Sequence, residues 1–261
     1  MTWFFLKQLS IFLKGAIFFY FLSFLSYSFF AFKRKYKYFP MSILGIGWLF
    51  NTALILNYWV IYDTIPTFTT HQILIFLAWS TILLYLVLEI SIKFKLLGII
   101  FSLVSFLLLF SAIHLLDFKA HPSIWIENLI SSFEIFTASL LFLVFLFSIL
   151  YLAFPETKEL HGHWLDLINL NFNQYLNKLI NFSLISLFIS IISRSLWILN
   201  QKGHLWEFKL NTEMTLFFTV LYLFILHLRQ LPKWSGKRIA WILVGGSLII
   251  IFSIFIKRLY Y

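Results

Sequence analysis

Long apolar runs separated by short polar segments make up nearly the whole of this chain. A run of about 18 or more apolar residues is long enough to cross the hydrocarbon core of a bilayer as an α-helix. The pattern therefore predicts an all-α, polytopic integral membrane helix bundle, in which residues 1–261 form a single transmembrane domain. We expect about eight spans, at 9–32, 41–62, 70–90, 96–116, 129–154, 179–199, 213–228 and 239–256.

The most polar interval in the second half of the chain is the segment 201–213, QKGHLWEFKLNTE, between the sixth and seventh predicted spans. It carries one His, one Trp, two Lys and two Glu. Two interpretations are open for this segment. It is either a loop that handles a ligand or a hydrophilic turn between two membrane helices.

The composition supports a membrane protein and excludes several chemistries. Hydrophobic residues make up 61% of the chain and charged residues 11%, which is too apolar for a soluble domain of this size. Because the chain has no Cys, it has no thiolate metal site, no thiol redox chemistry and no thioether of its own for covalent haem attachment. The net charge of +10 comes from basic residues beside the apolar runs, which is typical of membrane proteins rather than nucleic-acid-binding proteins.

The distribution of Lys and Arg predicts how the chain is oriented in the membrane. The segments after the first, third, fifth and seventh spans hold twelve of these residues, whereas those on the opposite side hold seven. Basic residues are enriched in cytoplasmic loops. We therefore expect a multi-pass protein of the cytoplasmic (inner) membrane, with both termini and the 201–213 segment outside.

Ionisable side chains within or near the predicted spans are the first candidates for chemistry, because charge in hydrocarbon is costly and usually faces a cavity or a partner. Glu89 is spaced to pair with Lys93 one helical turn later. Glu134 and Arg194 are predicted at similar depth. Either they form an ion pair between helices, or Arg194 faces a carboxylate of a ligand. His227 is the fourth group of this kind.

Four further histidines are predicted at or near the outer face of the membrane: His71, His114, His121 and His204. Imidazole is the usual axial ligand of non-covalently bound haem. Histidines are also common at membrane interfaces, so their positions alone leave both interpretations open.

The C-terminal third carries a series of spaced motifs. An Asp precedes the sixth span and a Trp lies at its outer end; Gly-x-x-Trp, Leu-His-x-Arg and Trp-x-Gly-x-Arg follow in that order. The residues are Asp166, Trp197, Gly203, Trp206, His227, Arg229, Trp234, Gly236 and Arg238. With GWLFNTALILNYW and HPSIWIENLI earlier in the chain, these motifs resemble the cytochrome c assembly family, meaning the CcsA-like haem-handling proteins and their HemX-like relatives. The resemblance spans most of the chain.

The chain departs from this family at positions where the family handles haem. Phe208 and Lys209 stand where the Trp-rich outer loop of the family continues with Trp-Asp. Asn51 and Asn128 stand where the family has histidines, on the second helix and before the fifth helix, whereas His227 is retained. Since an amide is a poor iron ligand compared with imidazole, we expect the outer two-histidine site of the family to be absent.

The resemblance implies a membrane component of cytochrome c biogenesis that handles or presents haem b at the outer face, as an assembly factor rather than a turnover enzyme. A ResB-like membrane protein or other cytochrome c maturation proteins would be its partners. His227 would ligate the haem iron, with no residue acting as a catalyst. His204, Trp206, His121 and Arg194 would complete the cofactor-binding surface by ligation, stacking or contact with a propionate. The alternative is a non-catalytic HemX-like regulatory or scaffold protein that has lost haem binding.

Overall fold

The computed structural model of the chain describes residues 2–30, 38–63, 65–67, 69–92, 95–114, 125–153, 172–205, 210–229 and 237–248. Every regular element within these residues is an α-helix, as the apolar pattern predicts. The helices are α1 (Thr2–Phe30), α2 (Phe39–Tyr62), α3 (Thr70–Ile92), α4 (Lys95–His114), α5 (Trp125–Ala153), α6 (Phe172–Lys202), α7 (Leu210–Arg229) and α8 (237–248).

Six of the described helices are long and apolar enough to cross a membrane. Their apolar stretches are Ser10–Phe29, Phe39–Tyr62, Thr70–Ile90, Leu97–His114, Trp125–Leu150 and Tyr175–Lys202. The chain is therefore a multi-pass helical membrane protein, and six of the expected spans are confirmed. The apolar part of α7, Leu216–Leu228, is shorter, and α8 is described only as far as residue 248. The seventh and eighth spans stay predictions.

The ends of α2 and α3 follow from local residue chemistry. The hydroxyl of Thr69 accepts a hydrogen bond from the backbone N–H of Gln72, and the Gln72 side chain accepts one from the backbone N–H of Thr69, a reciprocal capping box at the start of α3. At the end of α2, Asp63 adopts a left-handed conformation with φ 52° and donates its N–H to the carbonyl of Trp59. Asp tolerates this conformation better than most residues.

The described helices fall into two compact units, Met1–Ser139 and Leu140–Tyr261. The first unit holds α1 to α4 and the first half of α5. The second unit holds the rest of α5 and helices α6 to α8. The single transmembrane domain that the apolar pattern predicts stays a prediction.

Helices α1 to α4 pack as an antiparallel ring in the first unit, where α1 and α3 each contact both α2 and α4. Between α1 and α2, Gly15 lies against Phe50 and Gly47 lies against Tyr20, so residue numbers rise along one helix as they fall along the other. A methyl group on Gly47 would lie 2.7 Å from the Tyr20 ring, so this position requires Gly. Side chains from all four helices meet along the axis of the ring.

The second unit is built around the α6–α7 contact. Ser183, Ser186 and Ser190 are buried on one face of α6, and small side chains of this kind allow membrane helices to approach closely. Gly246 of α8 lies against the side chain of Leu221 in α7, so a larger residue there would require the Leu221 side chain to move.

Candidate functional site

A set of buried polar residues lies on the four helices of the α1–α4 ring. We call this set the polar core: Tyr20, Tyr27, Asn51, Tyr58, His71, Thr81, Tyr85, Glu89 and Ser105. Each has less than a tenth of its surface exposed. Because polar groups in a membrane interior are costly unless paired or hydrated, such a concentration marks a functional region by default.

His71 is held by hydrogen bonds at both ring nitrogens. Nδ1 lies 2.7 Å from the carbonyl oxygen of Ala112 in α4, and Nε2 lies 2.9 Å from the hydroxyl of Tyr58 in α2. A carbonyl only accepts, so Nδ1 carries the proton and the Nε2 lone pair of the neutral ring accepts from Tyr58. The imidazole therefore ties three helices together near one end of the ring, and neither nitrogen is available to an iron.

Asn51 occupies a fully buried position in the middle of α2. Its amide nitrogen lies 3.4 Å from the Tyr20 hydroxyl of α1 and 3.4 Å from the carbonyl oxygen of Ile75 in α3. Its side-chain oxygen makes no hydrogen bond to any described residue. The Asn51 amide therefore joins three helices in the interior of the ring.

Glu89 lies at the opposite end of the ring from His71 and is buried. The hydroxyl of Tyr27 in α1 donates a short hydrogen bond to its carboxylate across the axis. The Tyr85 hydroxyl lies within electrostatic reach of both groups, although it makes no hydrogen bond within normal geometric limits. Its ring packs edge-on against Tyr27 and stacks on Phe101. Lys93, the expected partner of Glu89, lies outside the described residues, so that pairing stays a prediction.

Gly203 ends α6 in the second unit and places His204 at the surface. Gly203 has φ 73° and donates its N–H to the carbonyl of Leu199, the αL motif in which Gly is the preferred residue. The next residue, His204, is exposed, with Nδ1 3.1 Å from the carbonyl oxygen of Lys202. This contact makes Nδ1 the donor and leaves the lone pair of the neutral ring on Nε2.

His227 and His204 are separated by most of the length of α7. His227 is exposed and lies seventeen residues after the first residue of α7, which is about 26 Å along the helix axis. His204 precedes the other end of that helix. The two imidazoles therefore do not ligate the same iron, and any role that each has in binding is a separate one.

The remaining expected site residues divide between the described and undescribed parts of the chain. Arg194 is half-buried in α6, two turns before the end of the helix. Glu134 belongs to the other unit, so its expected ion pair with Arg194 stays a prediction. Trp206 and His121 lie outside the described residues. Within the described part of the chain, no three His, Asp or Glu side chains come together as a metal site.

The tyrosines of the polar core were missed by the sequence analysis, because nothing local distinguishes a core tyrosine in a chain with 34 Phe and 12 Tyr. One signal was present. Tyr20 and Tyr27 are seven residues apart and therefore lie on one face of α1, and Asn51 and Tyr58 are seven apart on α2. Two polar faces at the same spacing on neighbouring spans are a pattern typical of a shared polar interior.

Comparison with known proteins leaves the family resemblance untested. No protein-family model matches the chain, and no curated protein sequence matches it.

Proposed function

We propose that this protein is a CcsA/HemX-like membrane component of cytochrome c biogenesis that handles or presents haem b at the outer face of the membrane. In this proposal it acts as an assembly factor, with a ResB-like membrane protein or other cytochrome c maturation proteins as partners. Haem is bound at the end of α6, in the 201–213 segment.

The observation that carries this proposal is the exposure of the His204 ring and its hydrogen bond through Nδ1. A metal-bound histidine usually donates its second ring N–H to a carbonyl or carboxylate, which fixes the tautomer and the orientation of the ring. The Lys202 carbonyl is in that position relative to His204 Nδ1. An exposed imidazole with its lone pair on Nε2 is suited to an iron that approaches from outside the helix end.

The other expected residues would contact the porphyrin or ligate haem in addition to His204. Arg194 lies on the same helix as the His204 end and supplies a guanidinium for a propionate. Trp206 offers stacking area to a porphyrin, and His121 is the candidate for a second axial ligand. His227, at the far end of α7, serves a separate inner haem site rather than the His204 site.

A second candidate is a HemX-like regulatory or scaffold protein that does not bind haem. The buried Asn51 favours it, because this amide replaces a histidine of the related family and is engaged with Tyr20 and Ile75. In this proposal the helices are retained as a platform for an enzyme or an assembly factor.

The visible spectrum of the purified protein tests the first proposal against the second. We expect protein purified in detergent from haem-supplemented cells to show a Soret band. His204→Ala should lower the haem content, and His227→Ala should remove a separate fraction of it. His114→Ala is the matched control, because His114 is also exposed at a helix end but packs edge-on against Phe110.

Unchanged spectra in both His204→Ala and His227→Ala would contradict the ligand assignment. Protein that stays haem-free after overexpression with added haem would contradict haem handling and leave the scaffold function.

A further inference from the structure

The polar core of the first unit crosses most of a membrane thickness. His71 and Glu89 both lie on α3, eighteen residues apart, which corresponds to about 27 Å along the axis. The hydrocarbon core of a bilayer is about 30 Å thick. Groups that accept and donate protons therefore lie near both ends of one helical ring.

Further polar groups lie between these ends at short intervals along α3. Ile75, whose carbonyl accepts a hydrogen bond from Asn51, lies about 6 Å from His71 along the helix axis. Thr81 lies about 9 Å beyond Ile75. Tyr85 and Glu89 follow at steps of about 6 Å each. These axial separations are longer than a direct hydrogen bond, so a continuous pathway along them requires water between the groups.

Two buried hydroxyl groups of the ring find no hydrogen-bond partner among the described residues. The side-chain oxygens of Thr81 and Ser105 make no hydrogen bond to any described residue, although each residue is at most 1% exposed. The paired helices α3 and α4 bring them to a similar level, because the His71–Ala112 and Tyr85–Phe101 contacts lie on either side of them. Buried hydroxyls without partners in a membrane interior are costly, and ordered water is the usual way in which they are satisfied.

We propose that the α1–α4 ring contains a hydrated proton pathway that runs from Glu89 through Tyr85, Thr81 and Tyr20 to the Tyr58–His71 pair. Each hydroxyl or water takes one proton from the group behind it and passes one forward, so no group is consumed and no electron moves. Glu89 takes up the proton at one end. At the other end His71 takes one from Tyr58 on Nε2 and gives it up from Nε2 to water, while Nδ1 keeps its proton hydrogen-bonded to the Ala112 carbonyl. A transmembrane pH or voltage difference drives the movement.

Glu89 is the residue on which the pathway depends most. Among the described residues, the titratable groups that face it are Tyr27 from α1 and Tyr85 from its own helix, while α4 presents Gly98 at this level. Tyr27 donates a hydrogen bond to the carboxylate. The basic residues nearest to it in sequence, at 33–37 and 93–95, have side chains outside the described set. This pathway uses none of the proposed haem residues, so it stands or falls independently of haem handling.

Proton flux into proteoliposomes tests the pathway. The full chain is reconstituted with a pH-sensitive dye inside the vesicles, and a potassium gradient with valinomycin imposes a voltage. We expect faster acidification than in protein-free vesicles and loss of the added flux in Glu89→Gln, which keeps the side-chain shape and the acceptor for Tyr27 but does not titrate. Tyr58→Phe should reduce the flux, whereas Tyr62→Phe, one turn later on α2 and half-exposed, should leave it unchanged.

A chemical block of the unmodified protein avoids any effect of mutation on folding. An apolar carbodiimide that reacts with protonated carboxyls should stop the flux, with the label on Glu89 by peptide mass spectrometry. Flux no faster than in protein-free vesicles would overturn the proposal. It would also be overturned if Glu89→Gln conducted like the unmodified chain, or if flux persisted after Glu89 had been labelled.

Discussion

At the scale of single residues, Gly98 of α4 determines how closely Tyr27, Tyr85 and Glu89 approach one another. A methyl group built on it would lie 2.5 Å from the Tyr27 ring and 2.6 Å from the Tyr85 hydroxyl. Both distances are far below an ordinary van der Waals contact. The hydrogen bond between Tyr27 and Glu89 therefore depends on a residue that has no side chain to contribute.

Gly98→Ala should destabilise the protein by about 1 to 3 kcal/mol, because the Tyr27 and Tyr85 rings are packed and the added methyl group forces them to move. The measurement is the free energy of unfolding in detergent, followed by circular dichroism during denaturant titration. Gly45→Ala in α2 is the matched control, since its methyl group would meet nothing within 4 Å. Equal stability of the two variants would contradict the packing described here.

The start of α3 shows, at the element scale, how a short polar sequence places a long apolar helix. Thr69 and Gln72 satisfy each other's backbone N–H groups, so the helix begins at Thr70 and its second residue, His71, points toward Ala112 and Tyr58. A shift of α3 by one residue in register would turn its face by about 100° relative to the neighbouring helices. The cap therefore contributes to the register of the polar core.

Thr69→Ala should cost about 1 kcal/mol, the usual effect of removing an N-cap hydroxyl, and should loosen the first turn of α3. Hydrogen–deuterium exchange of a peptide that covers 69–76 should show faster exchange of the first amides. Thr70→Ala is the control, because Thr70 is the next residue and is exposed. Faster exchange in the control alone would show that the Thr69 hydroxyl is not the cap.

At the scale of the whole molecule, the unequal distribution of basic residues predicts how the chain is oriented across the membrane. Lys202, at the end of α6, and Lys237, at the start of α8, are both exposed, and the seventh predicted span separates them. If α7 crosses the membrane, these two positions face opposite compartments. The basic excess then places Lys202 outside and Lys237 in the cytoplasm.

Single cysteines introduced into this Cys-free chain test that orientation. We expect Lys202→Cys to react with an impermeant maleimide in intact cells, and Lys237→Cys to react only after lysis. The opposite result would invert the predicted topology. Reaction of both positions in intact cells would mean that α7 does not span the membrane.

The sequence alone predicted six of the membrane-spanning helices. Six apolar stretches became spanning helices close to the expected residues, because the apolar length needed to cross a bilayer is a local property of consecutive residues. Its predictions were less accurate at the ends. The sixth apolar stretch runs Tyr175–Lys202 rather than 179–199, since polar residues continue a helix as readily as apolar ones.

The polar core was decided only by the tertiary structure. Tyr27 and Glu89 are 62 residues apart in sequence, and His71 and the Ala112 carbonyl are 41 apart. Which hydroxyl meets which carboxylate depends on how four helices rotate about their axes and where Gly47 and Gly98 let them approach. A run of apolar residues predicts that a helix spans the membrane. When nearly every face of the helix is apolar, the run does not predict which face points toward the neighbouring helices. The contacts between buried polar groups select one rotation, and these contacts exist only after the helices have packed.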